Sequence, residues 1–201
     1  MALHAYRLRR IGSVGLGLAL AALSLGALAS CGSSSTAGGG STSGGRYASA
    51  PPRTIDTSKT YGATIVTSKG TIELALDAKA SPVTVNNFVF LAREKFYDGL
   101  VFHRVEPGFV IQTGDPDGDG TGGPGYTIAD ESNALRHELG ALGMAKGQTP
   151  NSAGSQFYVT LAPQPSLDGR YTVFGKVTSG MEVASKITKG DVMTSVTITE
   201  R

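Results

Sequence analysis

From residue 61 onward the chain is a succession of short apolar runs separated by turn residues. Tyr61 to Val66 and Thr71 to Leu76 are β-branched and partly alternating, and Ser68-Lys69-Gly70 between them predicts an opening hairpin. Ser81-Pro82 predicts a helix start, Ser as N-cap and Pro at the first helical position. Val85, Phe88, Val89 and Ala92 follow at helical spacing before Asp98-Gly99 ends the element. Leu100 to Arg104 and Phe109 to Thr113 predict two more strands. Glu138 to Ala145 predicts one whose small residues mark a close approach, and Gly154 to Thr160 and Tyr171 to Val177 predict the next two. Met181 to Ile187 is a short amphipathic helix between Gly180 and Gly190, and Val192 to Thr199 is the last strand. Eight short strands, two helices and turn-rich connections predict a mostly β fold, a closed barrel or a sandwich with the helices as plugs.

The pattern changes before residue 55. Arg7, Arg9 and Arg10 precede an apolar run from Ile11 to Ala29, and the run ends in Leu28-Ala29-Ser30-Cys31. A charged region, an apolar region and small residues before a cleavage point predict a secretory signal over residues 1–30. Leu-Ala-Ser-Cys resembles the lipobox of bacterial lipoproteins, which implies that Cys31 is lipidated and becomes the mature first residue. Gly32 to Pro52 is Gly, Ser, Thr and Ala with almost nothing to bury, so residues 31–54 are predicted to be an anchor and a flexible tether. The folded domain is then residues 55–201, held on the extracytoplasmic face of the cell membrane.

Composition narrows the chemistry. A length of 201 residues with 40% hydrophobic content fits one domain with a real core plus attachments. The formal charge of +2 is mild and its Lys and Arg are scattered, which excludes nucleic acid as a partner class. One cysteine excludes an internal disulfide framework and a Cys-cluster metal site.

The conspicuous stretch is Phe102 to Tyr126, FHRVEPGFVIQTGDPDGDGTGGPGY. Its Asp115, Asp117 and Asp119 match the first half of an EF-hand loop, but Tyr126 stands where a bidentate Glu is required and no helices flank it. Gly120, Gly122 and Gly125 spell G-x-G-x-x-G, but Pro124 and the lack of a following helix remove the pyrophosphate site. No metal and no cofactor are expected. The histidines are His4, His103 and His137, and no G-x-S-x-G or H-E-x-x-H accompanies them. His103 reads as a satisfied structural histidine. Arg104, on the opposite strand face, is set among Phe102, Phe109, Val110 and Gln112, a cation on an apolar floor suited to a substrate carbonyl or amide.

Three blocks of this sequence resemble the cyclophilin family of peptidyl-prolyl cis-trans isomerases. FHRVEPGFVIQTGDPDGDGTGGPGY is similar to the family's F-H-R-x-x-x-x-F-x-x-Q-x-G-D segment, GMAKGQTPNSAGSQFYVT to its M-A … N-S-x-x-S-Q-F-F block, and LDGRYTVFGKV to the segment closing its pocket. With the hairpin and the Pro-led helix, the resemblance covers about Ile55 to Arg201. It implies an eight-stranded antiparallel closed β-barrel capped by two α-helices, and isomerisation of X-Pro bonds in exported proteins. Arg104 takes the place of the family's catalytic arginine and Gln112 that of its partner. Phe109, Val110, Tyr158 and Leu167 fall at proline-pocket positions, joined by Tyr171, and Ala145 and Gln156 at positions holding the peptide backbone.

This chain departs from the family at Val110, where Met is frequent, at Tyr158, where Phe is usual, and at Tyr171, where His is common. Ser166 replaces the tryptophan of cyclosporin-sensitive members, so weak cyclosporin binding is expected. The implied partners are proline-containing polypeptides and, through the lipid anchor, the membrane; the chain is expected to be monomeric. The alternative class is a non-catalytic module that holds proline peptides without turning them over.

Overall fold

The computed structural model describes residues 46–201. The expected signal run, Cys31 and the expected linker up to residue 45 lie outside the described residues. The hairpin forms as its pattern dictates. Strand β1 (Tyr61–Thr67) pairs antiparallel with β2 (Gly70–Leu76), and Tyr61, Ala63 and Ile65 point inward with Ile72, Leu74 and Leu76. After it come helix α1 (Pro82–Arg93), β3 (Arg104–Glu106), β4 (Val110–Thr113), β5 (Ala141–Met144), β6 (Phe157–Thr160), β7 (Val173–Ser179), the four-residue α2 (Met181–Ala184) and β8 (Met193–Glu200). A 3-10 turn over Pro165–Leu167 has no counterpart in the sequence pattern.

The eight strands form one antiparallel sheet in the order β3-β4-β6-β5-β7-β2-β1-β8. The expected closed barrel is therefore corrected to an open half-barrel, with β3 and β8 as its ends. The cause lies at residues 100–104, expected as a full strand. The ladder begins only at Arg104, and the Pro107-Gly108 turn, with Gly108 at φ 72°, reverses the chain after three residues. Between the ends runs a single bridge, Val101 to Val192, flanked by bonds from the Phe102 N–H to the Asp191 carbonyl (2.9 Å) and from the Met193 N–H to the Leu100 carbonyl (2.8 Å).

Helix α1 covers the concave core. Phe88 is fully buried and packs against Tyr97, Phe157 and Phe174 with ring centroids 5.2, 5.3 and 5.5 Å away. Pro82 sits at the start of the helix as expected, but Ser81 does not cap it. Its hydroxyl donates to the Val173 carbonyl instead. The cap comes from far along the chain: the Glu131 carboxylate accepts the Val83 and Thr84 N–H groups, both at 2.8 Å, and the Thr84 hydroxyl at 2.7 Å. The short α2 is set by Gly180, at φ 88°, where a Cβ would lie 2.3 Å from the Thr71 carbonyl oxygen.

Residues 46–54, expected in the tether by composition, are packed against the helix and loops that follow. The Tyr47 ring meets Phe90, Phe96 and Tyr126 at 5.2, 6.2 and 6.3 Å, and its N–H donates to the Pro124 carbonyl at 2.9 Å. Asn86 fixes the rest of the strap, accepting the Thr54 N–H at 2.8 Å and donating to the Pro52 carbonyl at 3.0 Å. A composition dominated by small residues concealed one aromatic anchor and the backbone groups that α1 satisfies.

Candidate active site

Strand register assembles the site. Arg104 pairs with Gln112, Gln112 with Tyr158, and Tyr158 with Gly143, a row across β3, β4, β6 and β5. The neighbouring row, Val105, Ile111, Val159 and Leu142, belongs to or packs on the core. Because side chains alternate, the Arg104 row faces the other side of the sheet. Val110 and Tyr158, only 1% and 5% exposed, are buried on that face and outside the contiguous core.

The Arg104 guanidinium lies 5.4 Å from the centroid of the Phe109 ring, and its side chain is 44% exposed. It is lightly held, with Nη1 donating to Gln112 Oε1 across 3.5 Å and Nε 3.9 Å from Glu106 Oε1. Gln112 is held more firmly. Gln156 Nε2 donates to the Gly122 and Gly120 carbonyls at 2.9 and 3.1 Å, which turns its Oε1 toward the Gln112 Nε2, 2.9 Å away. Each amide has one donor and one acceptor end, so this chain of donors leaves the Gln112 oxygen facing Arg104. The Gly/Asp loop is thus the far anchor of the arginine.

The loop's aspartates tie the loop to itself. Asp115 accepts the Asp117 N–H at 2.9 Å and the Gly120 N–H, while Asp119 accepts the Thr121 N–H and hydroxyl at 2.8 and 2.7 Å. The Thr121 hydroxyl, with its N–H, holds the Asp119 carboxyl below the usual range. Next to this loop is a groove of about 1200 Å³, lined by Gln112, Ala145, Gln156, Pro124 and Tyr126 among others.

Of the residues expected in the site, Arg104, Phe109, Gln112 and Gln156 form one contact chain, and the Ala145 N–H joins it by donating to the Gln156 carbonyl at 3.0 Å. Tyr158 and Tyr171 meet edge-on at 6.2 Å, and the Tyr171 N–H reaches the Leu167 carbonyl at 3.3 Å. Phe109, Val110, Tyr158, Leu167 and Tyr171 do not line the large groove, which lies on the Ala145 and Gln156 side. Cys31 is outside the described residues.

His103 departs from the expected satisfied structural histidine: it is 7% exposed, and among the described residues neither ring nitrogen has a hydrogen-bond partner of good geometry, the Gln156 side chain being a minor polar influence on it. Burial pulls its pKa below the ordinary histidine value and favours the neutral ring. Sequence reasoning also passed over His137, whose ring stands between Asp168 and the Tyr158 hydroxyl. The available signal was the hydroxyl itself: a Tyr on an otherwise apolar strand usually finds a buried partner for its O–H.

Comparison with known proteins identifies the family of the chain. The family model described as "Cyclophilin type peptidyl-prolyl cis-trans isomerase/CLD" matches residues 63–201. Peptidyl-prolyl cis-trans isomerase B of Bacillus subtilis (strain 168) is 56% identical over 129 residues, covering 63% of this chain and 90% of that protein. A peptidyl-prolyl cis-trans isomerase of Helicobacter pylori (strain ATCC 700392 / 26695) is 50% identical over 143 residues, 69% of this chain and 87% of that protein. Among solved structures, a Cryptosporidium parvum cyclophilin-type isomerase is similar with a TM-score of 0.65 and 31% identity, over 71% of this chain and 99% of that one. The same protein has been crystallised in the presence of the dipeptide Ala-Pro, and that structure is similar with a TM-score of 0.65 and 32% identity, over 70% of this chain and 99% of that one.

Proposed function

The chain belongs to the cyclophilin-type peptidyl-prolyl cis-trans isomerase family, and we propose that it turns X-Pro bonds of exported polypeptides through Arg104 while tethered to a membrane by Cys31. The activity is isomerisation of the peptidyl-prolyl bond. Its barrier, about 18–20 kcal/mol, comes from amide resonance, and the step breaks no bond between heavy atoms. Catalysis therefore consists of favouring the twisted amide over both planar forms.

The observation that carries the assignment of roles is the row Arg104, Gln112, Tyr158 with the guanidinium over Phe109. A guanidinium held by one long bond has donors to spare. It donates to the substrate carbonyl, or to the proline nitrogen as that atom loses resonance and gains a lone pair. The Gln112 and Gln156 relay keeps it aimed. Phe109, Val110, Tyr158, Leu167 and Tyr171 seat the proline ring, and Ala145 and Gln156 take the peptide backbone.

The exported setting is supported by the order of segments: three arginines, an apolar run, Leu28-Ala29-Ser30-Cys31, then a small-residue tether. Without catalysis an X-Pro bond takes tens to hundreds of seconds to isomerise, slow enough to limit folding of a secreted protein. Fractionation of cells expressing the wild type and Cys31→Ala tests the setting. The wild type is expected in membranes with a lipidated N-terminal Cys by mass spectrometry, and Cys31→Ala is expected to be released. An unmodified Cys31 in the mature wild type removes the anchor from the account and leaves the isomerase activity standing.

A further inference from the structure

Tyr158 carries a hydroxyl into a place where the residue is 5% exposed. Burial raises that phenol well above its ordinary range, so it remains an O–H donor and needs an acceptor. The acceptor is His137 Nε2, 2.9 Å away. The His137 side chain is fully buried, and its Nδ1 lies 2.9 Å from Asp168 Oδ1. The same oxygen accepts the His137 backbone N–H at 2.9 Å, and Arg136 Nη1 is 3.2 Å from Asp168 Oδ2. An ionised carboxylate only accepts, so Nδ1 carries a hydrogen, and in the tautomer that leaves Nε2 its lone pair the Tyr158 O–H donates to it.

A second, independent feature fixes the same ring. Gly143 is the cross-strand partner of Tyr158, and a Cβ there would lie 2.4 Å from Tyr158 Cζ and 2.5 Å from its oxygen. The ring therefore rests over the backbone of β5, on the side away from its other partner, Gln112. Its alternative staggered rotamers would carry the ring off Gly143.

We infer that His137, held by Asp168, is a positioning residue for proline binding: through the Tyr158 hydroxyl it holds the Tyr158 ring down over Gly143 and keeps the proline seat beside Gln112 and Val110 open. This rests on the proposed isomerase site. The proline ring occupies its seat both before and during the twist, so a ring free to swing competes with substrate equally in both states. The loss falls on KM and spares kcat.

The test uses the full chain, Tyr158→Phe, His137→Gln and the double variant, with KM and kcat from NMR exchange spectroscopy on an Ala-Pro-containing peptide. Each single variant is expected to raise KM about three- to tenfold, the scale of one buried hydrogen bond, with kcat within about twofold. The double variant is expected to match the weaker single variant, because both substitutions break one chain. In the wild type, a slowly exchanging Tyr158 hydroxyl proton coupled to His137 is expected, and its absence overturns the inference. So does an unchanged KM in Tyr158→Phe, a fall in kcat instead, or single effects that multiply. If His137→Gln does not fold, Tyr158→Phe and the hydroxyl signal decide. A wild type without isomerase activity counts against the proposed function instead, and the hydroxyl signal still tests the His137 contact.

Discussion

Tyr47 gives opposite expectations for two substitutions. Its ring meets three aromatic partners at 5.2, 6.2 and 6.3 Å, while its hydroxyl is buried with no hydrogen-bond partner among the described residues. Tyr47→Ala loses all three contacts. At about 0.5–1.5 kcal/mol for each aromatic pair, discounted for a residue only half-buried, the expected cost is about 2–3 kcal/mol. For a domain of this size that lowers Tm by about 4–12 °C. Tyr47→Phe keeps the rings and removes a hydroxyl whose burial is uncompensated, so stability should hold or rise by up to about 1 kcal/mol. Thermal unfolding followed by circular dichroism, with the wild type alongside, reads both. An unchanged Tm in Tyr47→Ala would refute the docked strap, and a loss in Tyr47→Phe as large as in Tyr47→Ala would show that the hydroxyl, not the ring, holds it.

Glu131→Ala removes the acceptor for two backbone donors and a hydroxyl at the start of α1, and should cost about 2 kcal/mol in denaturant unfolding, with Glu131→Gln falling between it and the wild type; equal stability of all three would count against a distant cap. His103 has a folded pKa below its unfolded value of about 6.5, so the unfolded chain binds the proton first as pH falls. Stability should thus decline as pH drops through about 6.5, and His103→Gln should flatten that part of a Tm-against-pH curve; an unaltered slope would contradict it. Ser166 lies exposed in the 3-10 turn, where it offers neither an indole face nor an N–H. Cyclosporin should bind weakly by calorimetry, and a submicromolar Kd would overturn that.

Much of this molecule was legible from pattern. The hairpin, the Pro-led helix and the last strand follow from alternation and turn residues, which are local signals. The motif around Arg104 was legible because Arg and Gln on an apolar strand are unusual, and the two residues pair in register. What pattern could not supply is long-range. The Glu131 cap, the Tyr47 strap and the His137 chain each join residues at least 21 positions apart, and single-sequence periodicity carries no such information. The ends of the sheet were missed for a related reason. Leu100 to His103 has strand composition, but the neighbouring turn and the short β3 decide whether it joins a ladder. His103 differs from its expectation because burial, and the lack of a partner among the described residues, are three-dimensional facts.

The central claim is that the lightly held Arg104 guanidinium acts on the twisting amide. Exchange spectroscopy of a proline-containing peptide with the wild type, Arg104→Ala and Arg104→Lys tests it most directly. Arg104 is exposed and makes no short contact, so both variants should unfold within a degree or two of the wild type. Arg104→Ala should lose about ten- to a hundredfold in kcat/KM, the scale of one preorganised donor, and Arg104→Lys should recover little because an ammonium cannot reproduce the planar fork. Near-wild-type turnover by a folded Arg104→Ala would contradict the account.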